Sequence, residues 1–221
     1  MNLKGLFITG TDTGVGKTVV AAAIVRHLRM QGMRVGAYKP AASGAETGPE
    51  GRPVWGDVEQ LSQALGGEFP QERICPQRFL APLAPPLAAA AEGCSVDSRL
   101  LREGVLWWGD RVDLLVVEGA GGLLSPLGND ESVADLASDL GLPVVVVARA
   151  GLGTINHTLL TLEAAERRGL HVAGVILNQT APEAWDPSVE SNPRELQRRT
   201  NVPLLAVCPY VGTRDLQGEE S

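Results

Sequence analysis

The residues best equipped for chemistry lie in the run Gly10-Thr11-Asp12-Thr13-Gly14-Val15-Gly16-Lys17-Thr18. Its glycines let the backbone wrap so that successive N–H groups point at one polyphosphate. In such a loop Lys17 reaches the β- and γ-phosphates and the Thr18 hydroxyl ligates Mg2+. The strict pattern GxxxxGK[ST] puts its first glycine at residue 11, where this chain has threonine, so the loop is a variant. Its place between an apolar strand and a helix points to nucleotide binding, because the helix N-terminus adds its dipole to the anion site.

Other candidates follow the apolar runs. Lys39, in YKPAASG at residues 38–44, ends the second strand and either faces the same cavity as Lys17 or stands solvated at a strand end. Ser43 is a substrate-binding hydroxyl or a turn residue. Glu118 ends the strand Leu114-Leu115-Val116-Val117, the usual place for a second metal handle in a P-loop protein, or else it caps a loop. Behind it Gly119, Ala120, Gly121 and Gly122 allow close backbone approach to a ligand. Asp57 reads equally as a helix N-cap. The turn Gly151-Leu152-Gly153-Thr154-Ile155-Asn156-His157 could bind a carboxylate through free N–H groups, but a plain helix cap is the simpler reading. Asn178 could present its amide to adenine or serve a turn.

These positions need a scaffold that brings strand ends together. Apolar runs at residues 6–8, 34–38, 114–117, 143–148, 172–177 and 203–207 predict strands, and their β-branched content without strict alternation predicts burial on both faces. Helical patterns fall at residues 18–30, 57–65, 96–108, 132–140, 155–168 and 193–200. Regular alternation predicts an α/β fold, P-loop NTPase-like, with a mostly parallel sheet and helices on both faces. One P-loop domain is expected over residues 1–211, with a polar, fraying tail at 212–221. Residues 40–86 and 180–192, rich in glycine, proline and polar residues, read as long functional loops.

Composition mainly excludes. The 221 residues carry 26 acidic and 19 basic side chains for a net charge of −7, which supplies no basic stripe for nucleic acid. Of the 19 basic residues only Lys4, Lys17 and Lys39 are lysines. The longest apolar stretch, residues 142–148, is about a third of a membrane span, so no membrane partner is expected. The N-terminus lacks a signal-peptide pattern. Cys75, Cys94 and Cys208 have no pairing pattern and read as reduced, mostly buried thiols of a cytoplasmic protein. The three histidines lack metal-ligand spacing.

Taken together, GTDTGVGKT at 10–18, YKPAASG at 38–44, VEGAGG at 117–122 and NHTLLT at 156–161 resemble the dethiobiotin synthetase family over about residues 3–211. The resemblance implies a homodimeric, ATP-dependent cyclo-ligase of biotin synthesis that converts 7,8-diaminononanoate, CO2 and MgATP to dethiobiotin, ADP and phosphate. It implies that Gly14, Val15, Gly16, Lys17, Thr18 and Val19 bind the ATP phosphates, with Gly119, Ala120 and Gly121 nearby. Thr18, Asp57 and Glu118 would hold Mg2+. Lys39 and Lys17 would be catalytic, and Ser43 would touch substrate. Asn178 and Gln179, with Pro209, Tyr210 and Val211, match the adenine pocket. Gly153, Thr154, Ile155 and Asn156 match the turn that takes the substrate carboxylate across the dimer interface, which displaces the plain-cap reading. Many of the family carry glutamate where this chain has Gly14, and some have a C-terminal helix beyond the point where this chain ends. The alternative is a MinD- or ParA-like switch ATPase, but those usually carry a further lysine where this chain has Thr11-Asp12-Thr13, and a basic amphipathic tail is absent. A cobyrinate-type amidotransferase would need a glutaminase module for which there is no room.

Overall fold

The computed structural model describes residues 4–182 and 186–210; Val211 and the expected tail at 212–221 lie outside the described residues. The chain opens with β1 (Gly5–Gly10), α1 (Lys17–Met30) and β2 (Val35–Tyr38). A run of short elements follows: β3 (Ala41–Ser43), β4 (Glu46–Thr47), β5 (Pro53–Val54), α2 (Gly56–Ala64), α3 (Gln71–Ile74), β6 (Gln77–Phe79), α4 (Pro85–Ala91) and α5 (Ser98–Glu103). Alternation then resumes with β7 (Leu114–Gly122), α6 (Val133–Leu140), β8 (Val144–Arg149), α7 (Thr154–Arg167), β9 (Val172–Asn178), α8 (Ser188–Gln197) and β10 (Leu204–Cys208).

Six of the strands form one parallel sheet in the order β10-β9-β8-β1-β7-β2. The expected α/β architecture is what the chain adopts. Val144, Val145, Val146 and Val147 are all buried, as a strand covered on both faces requires. Strand order reverses around β1: the chain leaves it toward β7 and β2 on one side and later fills β8, β9 and β10 on the other. A reversal of this kind opens a crevice at the carboxyl ends of the strands. Gly10, Lys39 and Asn178 lie at that edge. Trp108 closes the far margin, fully buried against β2 so tightly that a Cβ on Gly36 would stand 2.4 Å from its ring.

Several expectations need correction. The segment 40–86 is not a long loop. Its two- and three-residue strands carry no periodicity to read, and tertiary hydrogen bonds hold them instead. Trp55 Nε1 donates to the Phe79 carbonyl at 2.8 Å, and Gln77 exchanges two hydrogen bonds with the Asp97 backbone. The helix expected over 96–108 is α5 followed by a 3-10 turn, Gly104–Trp108; it starts where the Asp97 carboxylate accepts the Arg99 and Leu100 amides, both at 2.9 Å. The last helix begins at Ser188, inside the expected soft stretch, and Pro193 sits within it rather than opening it. Proline forfeits one helix hydrogen bond there, while buried Asn192 and Leu196 anchor the same helix. Finally, β10 is not buried on both faces: Leu205, Ala206 and Val207 are exposed on this edge strand among the described residues.

The thiols are also less uniform than expected. Cys75 is buried, Cys208 half-buried and Cys94 exposed. Burial pushes the Cys75 thiol up to about 12, so it carries almost no thiolate at neutral pH. Alkylation of the native chain at pH 7.5 followed by mass spectrometry should modify Cys94 first and Cys75 only after unfolding. Equal rates at the two would contradict the packing described.

Candidate active site

β1 ends at Gly10, and the chain turns through residues 11–16 into α1. Gly16 takes the left-handed conformation, φ 88°, and a Cβ there would lie 2.0 Å from Asn178 Nδ2, so glycine alone fits. No side chain caps α1 and its first turn holds no acid, which leaves the positive end of the helix dipole unneutralised. The Thr13 N–H donates to Asp12 Oδ1, and the Val20 N–H is the first to return to the helix, to the Gly16 carbonyl. Between them the amides of residues 14–19 have no acceptor among the described residues. Thr11, standing where the strict motif has glycine, donates its N–H to the Val147 carbonyl at 2.9 Å and ties the loop to β8. Lys17 Nζ donates to the Asp12 carbonyl at 3.1 Å. Burial draws the Lys17 pKa below the usual lysine value, against the opposing pull of Glu118.

Beside this loop lies a buried charge network. Lys39 follows β2, its own N–H held by the Ile74 carbonyl at 2.7 Å, and its Nζ sits 2.6 Å from Glu118 Oε1 and 2.7 Å from Asp57 Oδ2. Thr18 Oγ1 donates to the same Glu118 oxygen at 2.8 Å. Lys39 is 3% exposed and Glu118 1%, whereas the Asp57 side chain is 52% exposed. Burial alone would lower the Lys39 pKa, but Glu118 and Asp57 outweigh it and hold the ammonium above the ordinary lysine value. The facing Lys39 charge keeps the Asp57 carboxyl low. For Glu118, burial pushes the carboxyl up against the pull of Lys39.

Two readings change here. Glu118 does not end its strand, because β7 runs on to Gly122. Asp57 is not the N-cap, which is Trp55; it is the second residue of α2 and turns its carboxylate to Lys39. Glu118 Oε2 is buried with no hydrogen-bond partner among the described residues. That orphan acceptor, the Thr18 hydroxyl and the Asp57 carboxylate are hard oxygen donors in one place, the donor type Mg2+ takes, with phosphate and water completing its shell. Among the described residues no group of three acids, histidines or cysteines could hold a metal alone.

The remaining expected residues fall into three groups. Gly119, Ala120 and Gly121 lie in β7 beside the loop, where Gly122 pairs with Gly10. Gln179 Oε1 accepts the Tyr210 N–H at 3.0 Å, so Gln179, Pro209 and Tyr210 share the end of β9 and β10, with Asn178 reaching from there to the Val15 carbonyl. Gly153, left-handed at φ 91°, caps α7 through its backbone only; Thr154 is buried, Ile155 half-buried and Asn156 exposed. Ser43 stands apart from the charge network, and its hydroxyl donates to the Leu83 carbonyl at 2.6 Å.

A cavity of about 330 Å³ between the loop and α7 is lined by Thr11, Asp12, Gly122, Leu124, His157 and Thr161. Sequence reading passed over His157 and Thr161, although their four-residue spacing in NHTLLT puts both on one helix face. It also missed Asp186, which accepts the Leu152 N–H at 3.0 Å, and Asn192, which donates to the Ala150 carbonyl at 2.7 Å. A larger cavity of about 960 Å³, lined by Leu159, Glu163, His171, Arg198 and Pro203, contains none of the charge network.

A family described as an AAA domain matches residues 4–216. The ATP-dependent dethiobiotin synthetase BioD of Anaeromyxobacter dehalogenans (strain 2CP-C) is 53% identical over 208 residues, 94% of this chain and 91% of that one. The chain belongs to the dethiobiotin synthetase family. A second synthetase, from Rhodopirellula baltica, is 42% identical over 90% of this chain and 82% of its own. The septum site-determining protein MinD from Pyrococcus horikoshii OT3, solved with Mg-ADP, superposes with a TM-score of 0.56 over 97% of this chain and 85% of its own. At 19% identity it shares the fold with this dethiobiotin synthetase family member and no more.

The geometry can be tested without any ligand. Lys39→Met and Glu118→Gln, made singly and together and unfolded in denaturant, should show a coupling of about 2 kcal/mol. Strictly additive losses would mean that the buried pair does not form in solution.

Proposed function

We propose that the chain is an ATP-dependent dethiobiotin synthetase acting in biotin biosynthesis. It carboxylates 7,8-diaminononanoate with CO2 and closes the ureido ring of dethiobiotin, releasing ADP and phosphate. The observation that carries this reading is one buried carboxylate, Glu118, shared by the loop hydroxyl of Thr18 and the ammonium of Lys39. That link sets a compact positive charge beside the place a triphosphate terminus would occupy. Family membership supplies the substrate class.

An amine of the substrate adds to CO2 and gives a carbamate. Its oxygen takes the γ-phosphoryl group of ATP, forming a mixed carbamic–phosphoric anhydride and ADP. The second amine then attacks the anhydride carbon, and phosphate leaves as the ring closes. No protein nucleophile is needed, so positioning and electrostatics carry the rate. The amides of Gly14, Val15, Gly16, Lys17, Thr18 and Val19 receive the phosphates, and Lys17 exchanges the Asp12 carbonyl for phosphate oxygens. Lys39 exchanges its Asp57 contact for the carbamate and keeps Glu118. Thr18, Asp57 and Glu118 would hold Mg2+, which neutralises phosphate charge when bound. Gly119, Ala120 and Gly121 flank the phosphates, while Asn178, Gln179, Pro209 and Tyr210 surround the adenine. Ser43 contacts the substrate chain in this reading.

The amides at Gly153, Thr154, Ile155 and Asn156 take the substrate carboxylate from a partner subunit of a homodimer. Leu152, 85% exposed beside that turn, supports an apolar contact there, as do Leu124 and Leu160 at the small cavity, each more than half exposed. We place the enzyme in the cytoplasm; no described helix is long and apolar enough to cross a membrane.

ADP release with 7,8-diaminononanoate and bicarbonate, each omitted in turn, tests the reading. Turnover should require both, whereas hydrolysis independent of both would favour a switch ATPase. In the same assay Lys39→Ala should lower kcat by about two orders of magnitude or more, the scale of a preorganised electrostatic group. Lys39→Arg should also be poor because its planar fork is larger. Near-normal kcat in Lys39→Ala would remove Lys39 from the chemistry.

A further inference from the structure

Asn178 is the last residue of β9, 4% exposed, and its backbone is fixed by a neighbour on each side. Its carbonyl accepts the Ala150 N–H at 2.9 Å, and its Cα is in register with Cys208 of β10 and Arg149 of β8. From this rigid point the side-chain amide crosses to the phosphate loop, where Nδ2 donates to the Val15 carbonyl at 3.0 Å. The two residues are 163 apart in sequence, so the bond is purely tertiary.

The peptide unit it grips matters. The Val15 carbonyl and the Gly16 N–H belong to one trans, planar peptide and point in opposite directions. Holding the carbonyl toward Asn178 therefore aims the Gly16 N–H away from Asn178. Gly16, at φ 88° and without a Cβ, offers little resistance to rotation of that peptide by itself. A flipped peptide would present a carbonyl oxygen to an incoming phosphate. The absence of a side chain at Gly16 is also what lets the amide come so close.

We infer that Asn178 is a positioning residue of the phosphate loop: alongside its place at the adenine, its amide N–H holds the Val15–Gly16 peptide, and that contribution to nucleotide binding is independent of the base. This rests on the reading that residues 14–19 bind a polyphosphate. It goes beyond placing Asn178 at the adenine, because it assigns the amide N–H to the loop and expects a loss for a ligand with no base as well.

The test compares wild type with Asn178→Ala and Asn178→Asp. Dissociation constants are measured by titration calorimetry for MgATP, MgCTP and inorganic tripolyphosphate. Each variant should weaken tripolyphosphate by about tenfold, the scale of one buried hydrogen bond, and the two nucleotides by at least as much. Asn178→Asp should be at least as damaged, since it sets a carboxylate oxygen against the Val15 carbonyl. Leu136→Ala, a core truncation in α6, controls for lost stability and should leave all three constants unchanged when measured well below its melting temperature. A loss confined to MgATP, with tripolyphosphate binding intact, would overturn the inference and return Asn178 to a base contact. Failure of wild type to bind any of the three would remove the phosphate-loop reading and the inference with it. Binding is read here without turnover, so an inactive enzyme that still binds would count against the proposed reaction alone.

Discussion

A buried ammonium constrains the rest of this molecule. Lys39 is almost inaccessible, and a charge so placed is tolerated only when paired and hydrogen-bonded. Its main partner, Glu118, is buried more deeply still and depends on it in the same way. Sheet register brings the two together. β2 and β7 run parallel with Tyr38 opposite Val117, so the residues that come next are Lys39, just past β2, and Glu118 within β7. A slip by one residue would send one of them to the other face. The same Glu118 stands opposite Ile8 of β1, the strand that feeds the phosphate loop. Strand register, charge pairing and loop position are therefore one constraint.

The anion site is made from the opposite material. Where the charge network is side chain and buried, the loop from residue 14 to residue 19 offers unpartnered backbone amides and an uncapped helix end. A chain with a net charge of −7 cannot attract a triphosphate by its overall field. In the proposed function local dipoles and two lysines do so at short range. Of the three lysines, Lys17 and Lys39 are buried at this edge and Lys4 is exposed before β1.

Much of this was legible because parallel sheets share one edge. A residue just after an apolar run, such as Lys39 or Asn178, is carried to the crevice whatever the details of packing. The pattern of buried strands and intervening helices was readable for the same reason, since burial on both faces leaves long β-branched runs. What could not be read depends on partners distant in sequence. Nothing local marks Asp57 as a partner of Lys39, because helix propensity explains an acid at that position equally well. The strands of two or three residues between β2 and α5 are too short to have a period. The Ser43 hydroxyl reads in sequence as a substrate contact or a turn residue, and only the structure shows its bond to the Leu83 carbonyl. Pro193 suggested a helix start by its local preference, but tertiary anchoring at Asn192 and Leu196 moved the start five residues earlier.

The unequal burial of the two carboxylates has a consequence for how the site can work. Glu118 sits within a central strand, fully enclosed, and cannot follow a ligand without disturbing β1 and β2. Asp57 begins a helix at the surface, with about half its side chain in water. In the proposed reaction Lys39 turns to a new anion, and Asp57 is then the partner that can let go at low cost, since solvent takes up its charge. Glu118 stays, holding the ammonium and the Thr18 hydroxyl at a fixed separation. A compact ammonium with three rotatable donors suits that exchange, because it can keep one carboxylate while trading the other. A guanidinium, with a planar fork that engages a carboxylate through two donors at once, would have to release Glu118 or overfill the pocket. That difference gives a physical reason for lysine at this position in a chain whose other cations are nearly all arginine.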